Sequence, residues 1–409
     1  MSTFLKNYGA TLALLAGILL GALCGVLWPD AAHAVKPVGD LFLNLIFMMI
    51  VPLVFFSIAG SICGLRRGGM LGKVLLNVLA VFVGMSLVAA LVAWLGVSVY
   101  SPLEAADREG ILGGLASAEM DSGAAIRPVD AIVNALTVRD FWLLLSKEHL
   151  LALIVFAALF GYAVCAAGEK GQAMEQFIHS GSEVMVRMMR TVMVAAPLGL
   201  GCYFADMIAS VGSQLLGGYL RVFLLYLALT LVYFFVINSL YVLAARGREG
   251  LRSYWQHIWD PAATAVATAS SAATMPVAIG AARRMGVSAP IAESVIPLGT
   301  NIHKDGSVMG AVFKIVFLML LCARPTAGLG ALGLIVGVAL LEAVVLGAVP
   351  GGGMAGEIFI CSVLGFSPEM VGVIVVIGTI IDIPATLLNV GGNVVGAILV
   401  DRLSGPKES

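Results

Sequence analysis

Asn301-Ile302-His303-Lys304-Asp305-Gly306-Ser307 sets three ionisable residues in a row inside a run that is otherwise apolar from residue 290 to residue 322. A charge at the centre of a membrane helix costs about 2.5–3.5 kcal/mol on insertion scales, so such residues face a bundle interior and pair. Three in succession cannot all face lipid. Gly306 loosens the helix at this point, which lets backbone carbonyls turn toward an ion. A purely structural account is an internal salt bridge, for example Lys304 with Asp305 or with Asp382.

The surroundings decide what kind of chain holds this stretch. Its 409 residues are 60% hydrophobic and 11% charged, whereas soluble domains run at about 25% charged. Runs of roughly 18 or more apolar residues are membrane-helix candidates, and they recur from residue 10 to residue 400. Spans are expected over 10–28, 38–63, 74–100, 148–167, 185–213, 218–246, 290–322 and 367–403. The first run, Tyr8 to Trp28, reads as a retained span, with His33-Ala34 as a weak rival cleavage site. A net charge of −1 without a basic stripe argues against a nucleic-acid partner. The six cysteines lie in apolar surroundings without CxxC spacing and read as small core residues, not disulfides or metal ligands. Lysine and arginine set the orientation. With the N-terminus cytoplasmic, 14 basic residues fall inside and 7 outside, with Lys304 and Lys314 left at membrane depth. Both termini are therefore expected in the cytoplasm.

Two segments break the pattern of simple spans. Residues 253–285 are rich in Ser, Thr and Ala around Pro276, and residues 327–363 are interrupted by Pro350-Gly351-Gly352-Gly353. Non-helical backbone at membrane depth is tolerated only where it is buried in protein or lines a cavity. Paired broken segments are a sequence pointer to a transporter's binding site. Both are read as re-entrant hairpins, giving an all-α polytopic membrane protein of eight transmembrane helices plus two re-entrant helical hairpins.

Three further clusters accompany Asn301–Ser307. The first is the hairpin tip Thr268-Ala269-Ser270-Ser271-Ala272-Ala273-Thr274-Met275-Pro276, whose hydroxyls could serve a carboxylate or a small-residue packing face. The second is Val349-Pro350-Gly351-Gly352-Gly353, followed by Glu357, where free backbone groups could hold a substrate or form a plain turn. The third is Asp382, Thr386, Asn389 and Asn393, spaced 4, 3 and 4 and so on one helical face. A helix–helix hydrogen-bond seam would explain the Thr and Asn but not Asp382.

Together these motifs resemble the dicarboxylate/amino acid:cation symporter family, that of the glutamate transporters. Ser270 to Pro276 resembles its serine-rich tip ending in Thr-Leu-Pro. Pro297-Leu298-Gly299-Thr300-Asn301-Ile302-His303-Lys304-Asp305-Gly306-Ser307 resembles Pro-(Ile/Leu)-Gly-Ala-Thr-Ile-Asn-Met-Asp-Gly-Thr. Val349 to Gly353 resembles the second tip, and Asp382 to Asn393 resembles Asp-Met-Gly-Arg-Thr-Met-Val-Asn-Val-Thr-Gly-Asp. The resemblance implies a homotrimer in lipid, multi-pass in a bacterial cytoplasmic (inner) membrane. It implies scaffold helices over 1–72 and 101–217. A transport domain of helix 3 (73–100) and residues 218–409 would move as an elevator. It implies a substrate site of Ser270, Ser271, Thr274, Val349, Pro350, Gly351, Gly353, Asp382, Thr386 and Asn389. Asp382 would take the substrate amine and Asn389 its α-carboxylate. It implies no metal or organic cofactor.

The departures bear on substrate and ion. The Arg that grips a side-chain carboxylate is replaced by Ala385, and Ala cannot form a bidentate pair. A first-hairpin Arg is replaced by Ala269. These losses favour a small neutral amino acid, while the Lys304 ammonium could instead hold a carboxylate, so an amino acid and a dicarboxylate both stand. Of the family's sodium ligands, a last-span Asp is Asn393 and an Asn is His303. A third-span Thr-Ser pair aligns with Met85-Ser86. Lys304 is expected to replace a bound cation. The coupling ion is then a proton, with His303, Lys304, Asp305, Asn301, Asn393 and Ser86 as the ion-coupling set and Glu357 as a further carrier. Alternatives are a sodium-coupled neutral amino acid symporter and an uncoupled exchanger or channel-like member. A true channel would need charge rings or a carbonyl filter, and an enzyme would need a nucleophile–base pair or metal cluster. Neither is visible.

Overall fold

The computed structural model describes residues 2–67, 72–103, 137–146, 149–211, 214–348, 353–367 and 369–404. Among them are fifteen α-helices and no strand. This is what an apolar chain requires in lipid, where each helix satisfies its own backbone polar groups. The helices are α1 (Ser2–Leu27), α2 (Pro29–Arg67), α3 (Gly72–Val99), α4 (Leu150–Ala166), α5 (Gln172–Met193), α6 (Ala196–Val211), α7 (Gln214–Val232) and α8 (Asn238–His257). They continue as α9 (Trp259–Thr268), α10 (Ser271–Arg284), α11 (Ala289–Ile302), α12 (Asp305–Leu321), α13 (Leu329–Ala348), α14 (Gly353–Leu364) and α15 (Glu369–Ser404). Three stretches, Leu76–Val99, Leu216–His257 and Met370–Ser404, are long and apolar enough to cross a membrane. Shorter apolar helices include Ala152–Ala166 and Leu329–Ala343.

Two expected spans, 185–213 and 290–322, are built differently. Residues 185–213 are not one helix. They hold the end of α5, which carries Glu175, Glu183 and Arg187 and is too polar to face lipid all round, and then α6. Residues 218–246 lie in one helical run, in which a π turn at Tyr233–Ile237 joins α7 to α8, and the run is broken at Gly247 (φ 65°), one residue past the expected end, before a further helical stretch to His257. Residues 290–322 are α11 and α12, separated where His303 (φ −127°) and Lys304 (φ −143°) are extended. The break falls at the two basic residues and not at Gly306, which lies inside α12. A Cβ at Gly306 would strike the backbone of Ala385, so this glycine serves the close approach of α15.

The helices pack in two groups. α1 and α2 pack on α6, and α2 also packs on α4 and α5. The first of these contacts is backbone to backbone. Gly17, Gly21 and Gly25 lie against Pro197, Gly201 and Ala205, three matched positions spaced four residues apart. Small residues at this spacing let membrane helices approach closely. The second group gathers around α15, which touches α3, α7, α8, α9, α10, α11, α12 and α14, while α12 also packs on α3 and α13. α9 packs on α10, and α13 packs on α14.

Candidate functional site

The break between α11 and α12 positions the densest set of polar groups. His303 and Asp305 are both fully buried. His303 Nδ1 lies 3.0 Å from Asn393 Oδ1, and Nε2 lies 2.9 Å from Asp305 Oδ1. The ring stacks on Phe82 of α3, with centroids 4.3 Å apart and planes 10° from parallel. Tyr233, in the π turn, donates to Asp305 Oδ2 at 3.2 Å and reaches Met85 O at 3.3 Å. Space here is tight. A Cβ at Gly392 would sit 2.6 Å from Asp305 Oδ2, and one at Gly299 would strike Asn393 Oδ1. Ser86 is buried beside Met85 on α3. Asn301 is exposed and donates to Pro297 O of its own helix, 3.0 Å away.

Breaking a helix strands the first amides of the helix that follows. Lys304 occupies the cap position of α12 but does not cap it with its side chain. Asn389 does so from α15. Its Oδ1 accepts from Gly306 N at 2.9 Å and Ser307 N at 3.3 Å, and its Nδ2 donates to Ser307 Oγ at 3.3 Å. Tyr226 donates to Gly306 O at 2.7 Å. Thr386 and Asn393 are buried on the same face of α15, while Asp382, the first residue of that polar stripe and well inside the helix, is exposed. The charges acting on Lys304 are the carboxylates of Glu342 and Asp382. The imidazole fills the place between Asn393 and Asp305.

The first hairpin turns at Ala269, whose φ of 46° is unusual for a residue with a Cβ. Hydroxyls hold that turn. Thr268 Oγ1 donates to Thr264 O at 2.8 Å, Thr274 Oγ1 donates to Ser270 O at 2.9 Å, and Ser270 Oγ accepts from Ala273 N at 3.3 Å. Ser271 takes no part in this set. Of the second tip, Val349, Pro350 and Gly351 lie outside the described residues, and Gly353 opens α14.

A second buried cluster lies along α12. Lys314 Nζ is 2.7 Å from Glu342 Oε1 on α13 and 2.9 Å from Glu357 Oε1 on α14. All three are at most 4% exposed.

The profile of the sodium:dicarboxylate symporter family matches residues 10–403. The chain belongs to that family. Among its similar relatives is a proton/sodium-glutamate symport protein of Bacillus subtilis (strain 168), 24% identical over 98% of this chain and 94% of that one. A C4-dicarboxylate transport protein of the same organism is 26% identical over 75% of this chain and 73% of its own. A third relative there, a proton/glutamate-aspartate symporter, is 26% identical over 95% and 93%. Membership in this family of symporters makes the chain a transporter and not an enzyme, with an apolar, helical, membrane-integral build.

Sequence reading left Lys314 at membrane depth without a partner, and missed Glu342, the pairing of the two and the capping use of Asn389. The signal for Lys314 and Glu342 was present. Glu342 is the one charge in the apolar run 329–348, and Lys314 the one charge in α12 after Asp305.

Proposed function

We propose that this symporter carries a small amino acid across a bacterial cytoplasmic membrane, driven by protons and independent of sodium. The observation that carries the reading is the imidazole of His303, held 3.0 and 2.9 Å from oxygens of Asn393 and Asp305. By resemblance to the family, those positions would supply part of an oxygen cage for sodium. Nδ1 lies at hydrogen-bonding distance from Asn393 Oδ1, and Nε2 approaches Asp305 Oδ1 as an ion-pair contact without hydrogen-bond geometry, an arrangement that suits a charged ring held by the carboxylate. A buried imidazolium provides the positive charge there, so no sodium is needed to balance Asp305.

Substrate chemistry follows from the charges left over. Asp382 is the exposed carboxylate of the α15 stripe and takes an ammonium, while the Lys304 ammonium takes a carboxylate. A dicarboxylate would set its second carboxylate against Asp382, and the absence of Arg at Ala385 removes the group that would hold it. Asn389, engaged with the amides of α12, orients the site. Ser271 is the first-tip hydroxyl left for the substrate. The two packing groups support a division into a scaffold (α1, α2, α4, α5, α6) and a transport unit (α3 and α7–α15) that moves as an elevator, in a homotrimer with both termini cytoplasmic.

Uptake of labelled L-alanine, L-serine, L-glutamate and succinate into proteoliposomes tests this reading. An inward proton gradient should drive uptake of one of the neutral amino acids, with sodium and choline equivalent. Uptake that requires an inward sodium gradient sinks it.

A further inference from the structure

The Lys314 cluster joins three helices and is not balanced in charge. One ammonium faces two carboxylates, at 2.7 and 2.9 Å. Each carboxylate meets Lys314 through Oε1, and the other oxygens, Glu342 Oε2 and Glu357 Oε2, are buried without a hydrogen-bond partner. A buried carboxylate oxygen left unpaired is expensive, and two carboxylates sharing one site cannot both ionise cheaply. One proton placed on this pair makes the cluster neutral.

The groups facing the pair are few. α12 presents Lys314, the break before it Lys304, α7 Tyr226, α15 Asp382 and α14 the thiol of Cys361, itself beside Cys322. Among the described residues, α2, α3, α4 and α11 contribute no buried charged residue. Gly378 of α15 lies so close that a Cβ there would meet Glu357 Oε1 at 2.5 Å, so this glycine makes the room in which the carboxylate sits.

We propose that Glu342 and Glu357 together bind the one proton that this symporter transports, held against Lys314 between the two arms of the second hairpin. The inference rests on the proton-driven reading above and assigns its site. Its coupling runs through Lys304. Without substrate, Lys304 acts on Glu342 and Asp382, so its positive charge helps to offset the extra carboxylate. A substrate carboxylate draws that ammonium away while the substrate ammonium answers Asp382. Lys314 then stands alone against two carboxylates, and an O–H bond forms on one of them with a proton from the aqueous side. On release of the substrate, Lys304 returns and the proton leaves to the other side.

The test measures steady-state accumulation of the best-transported of L-alanine, L-serine, L-glutamate and succinate in proteoliposomes. One coupled proton accumulates substrate about tenfold per unit of pH gradient, since each factor of ten corresponds to about 1.4 kcal/mol. Glu342→Gln and Glu357→Gln should each bring that ratio to about one while retaining counterflow exchange, because a permanently neutral pair supports the loaded crossing and not the empty return. Tenfold accumulation in either Gln variant overturns this site but leaves proton symport intact. A wild type that ignores the proton gradient overturns both. Should neither Gln variant exchange, Glu342→Asp and Glu357→Asp decide. A displaced pH midpoint of uptake in both supports the site, and an unmoved midpoint in either refutes it.

Discussion

Replacing His303 by Asn and Asn393 by Asp should turn sodium from a bystander into a stabilising ligand. The double variant removes the ring and restores two oxygen-bearing groups of the kind the family uses at these positions. Without sodium, three losses follow from the geometry. The stack on Phe82 contributes about 0.5–1.5 kcal/mol. The ion-pair contact of the ring with the Asp305 carboxylate goes with the ring. Stranding Asp305 as an unpaired buried charge brings the total toward the 3–5 kcal/mol typical of a broken buried pair, roughly. With sodium, binding to the folded state returns stability as RT ln(1 + [Na]/Kd), about 2.7 kcal/mol at a hundred times Kd. The assay is thermal unfolding in detergent, with sodium chloride against choline chloride at equal ionic strength. The wild type should melt at the same temperature in both salts. The double variant should melt lower in choline and recover most of the difference in sodium. A wild type that sodium stabilises would refute the view that the imidazole stands in the cation's place.

Asp382→Asn should reduce substrate affinity about ten- to hundredfold, the worth of one charge-assisted hydrogen bond, as read from uptake half-saturation. Lys304→Met should weaken binding of the carboxylate-bearing substrate similarly and blunt its proton dependence. Unchanged half-saturation would remove Lys304 from the site. Asn389→Ala removes the acceptor for two stranded amides and should lower stability by about 0.5–2 kcal/mol, the range for lost helix caps, visible in detergent melting. Gly21→Leu would force α1 off the backbone of α6 and should lower the melting temperature far more than the same change at Gly84, where a Cβ meets nothing within 4 Å.

Much of the framework was legible because lipid makes sequence simple. A charge or a broken helix at membrane depth must have a reason, so His303, Asp305, both hairpins and the α15 stripe stood out from composition and spacing alone. Contacts were less legible, because their partners are distant in sequence. His303 meets Asn393 across 90 residues, Asn389 caps Gly306 across 83, and Lys314 finds Glu357 across 43. The hydroxyls of the first tip were read as offered to a ligand, whereas those of Thr268, Ser270 and Thr274 hold a turn whose Ala269 lacks a glycine's freedom. The break was placed near Gly306 from glycine's usual role, but here glycine serves packing and the extended backbone falls on His303 and Lys304. The glycine steps in α1 passed unnoticed because a small-residue stripe inside an apolar run leaves hydropathy unchanged.

These observations converge on α12. All of its residues but Ser307 and Leu320 are buried, so any charge it carries must be paired within the protein. Its N-terminus borders the substrate stripe through Lys304 and Asn389. Nine residues further on, about 13.5 Å along a straight helix, Lys314 gathers a carboxylate from each arm of the second hairpin. Packing does not explain two acids on one base, since a single glutamate with an apolar neighbour would bury the lysine with fewer unsatisfied oxygens. The surplus carboxylate makes the second hairpin's electrostatics depend on where Lys304 sits, and Lys304 is the residue that a substrate carboxylate would move. In the proposed mechanism, a buried helix with one cation at its start and another in its middle would give substrate and proton a common set of charges to balance, without any direct contact between them.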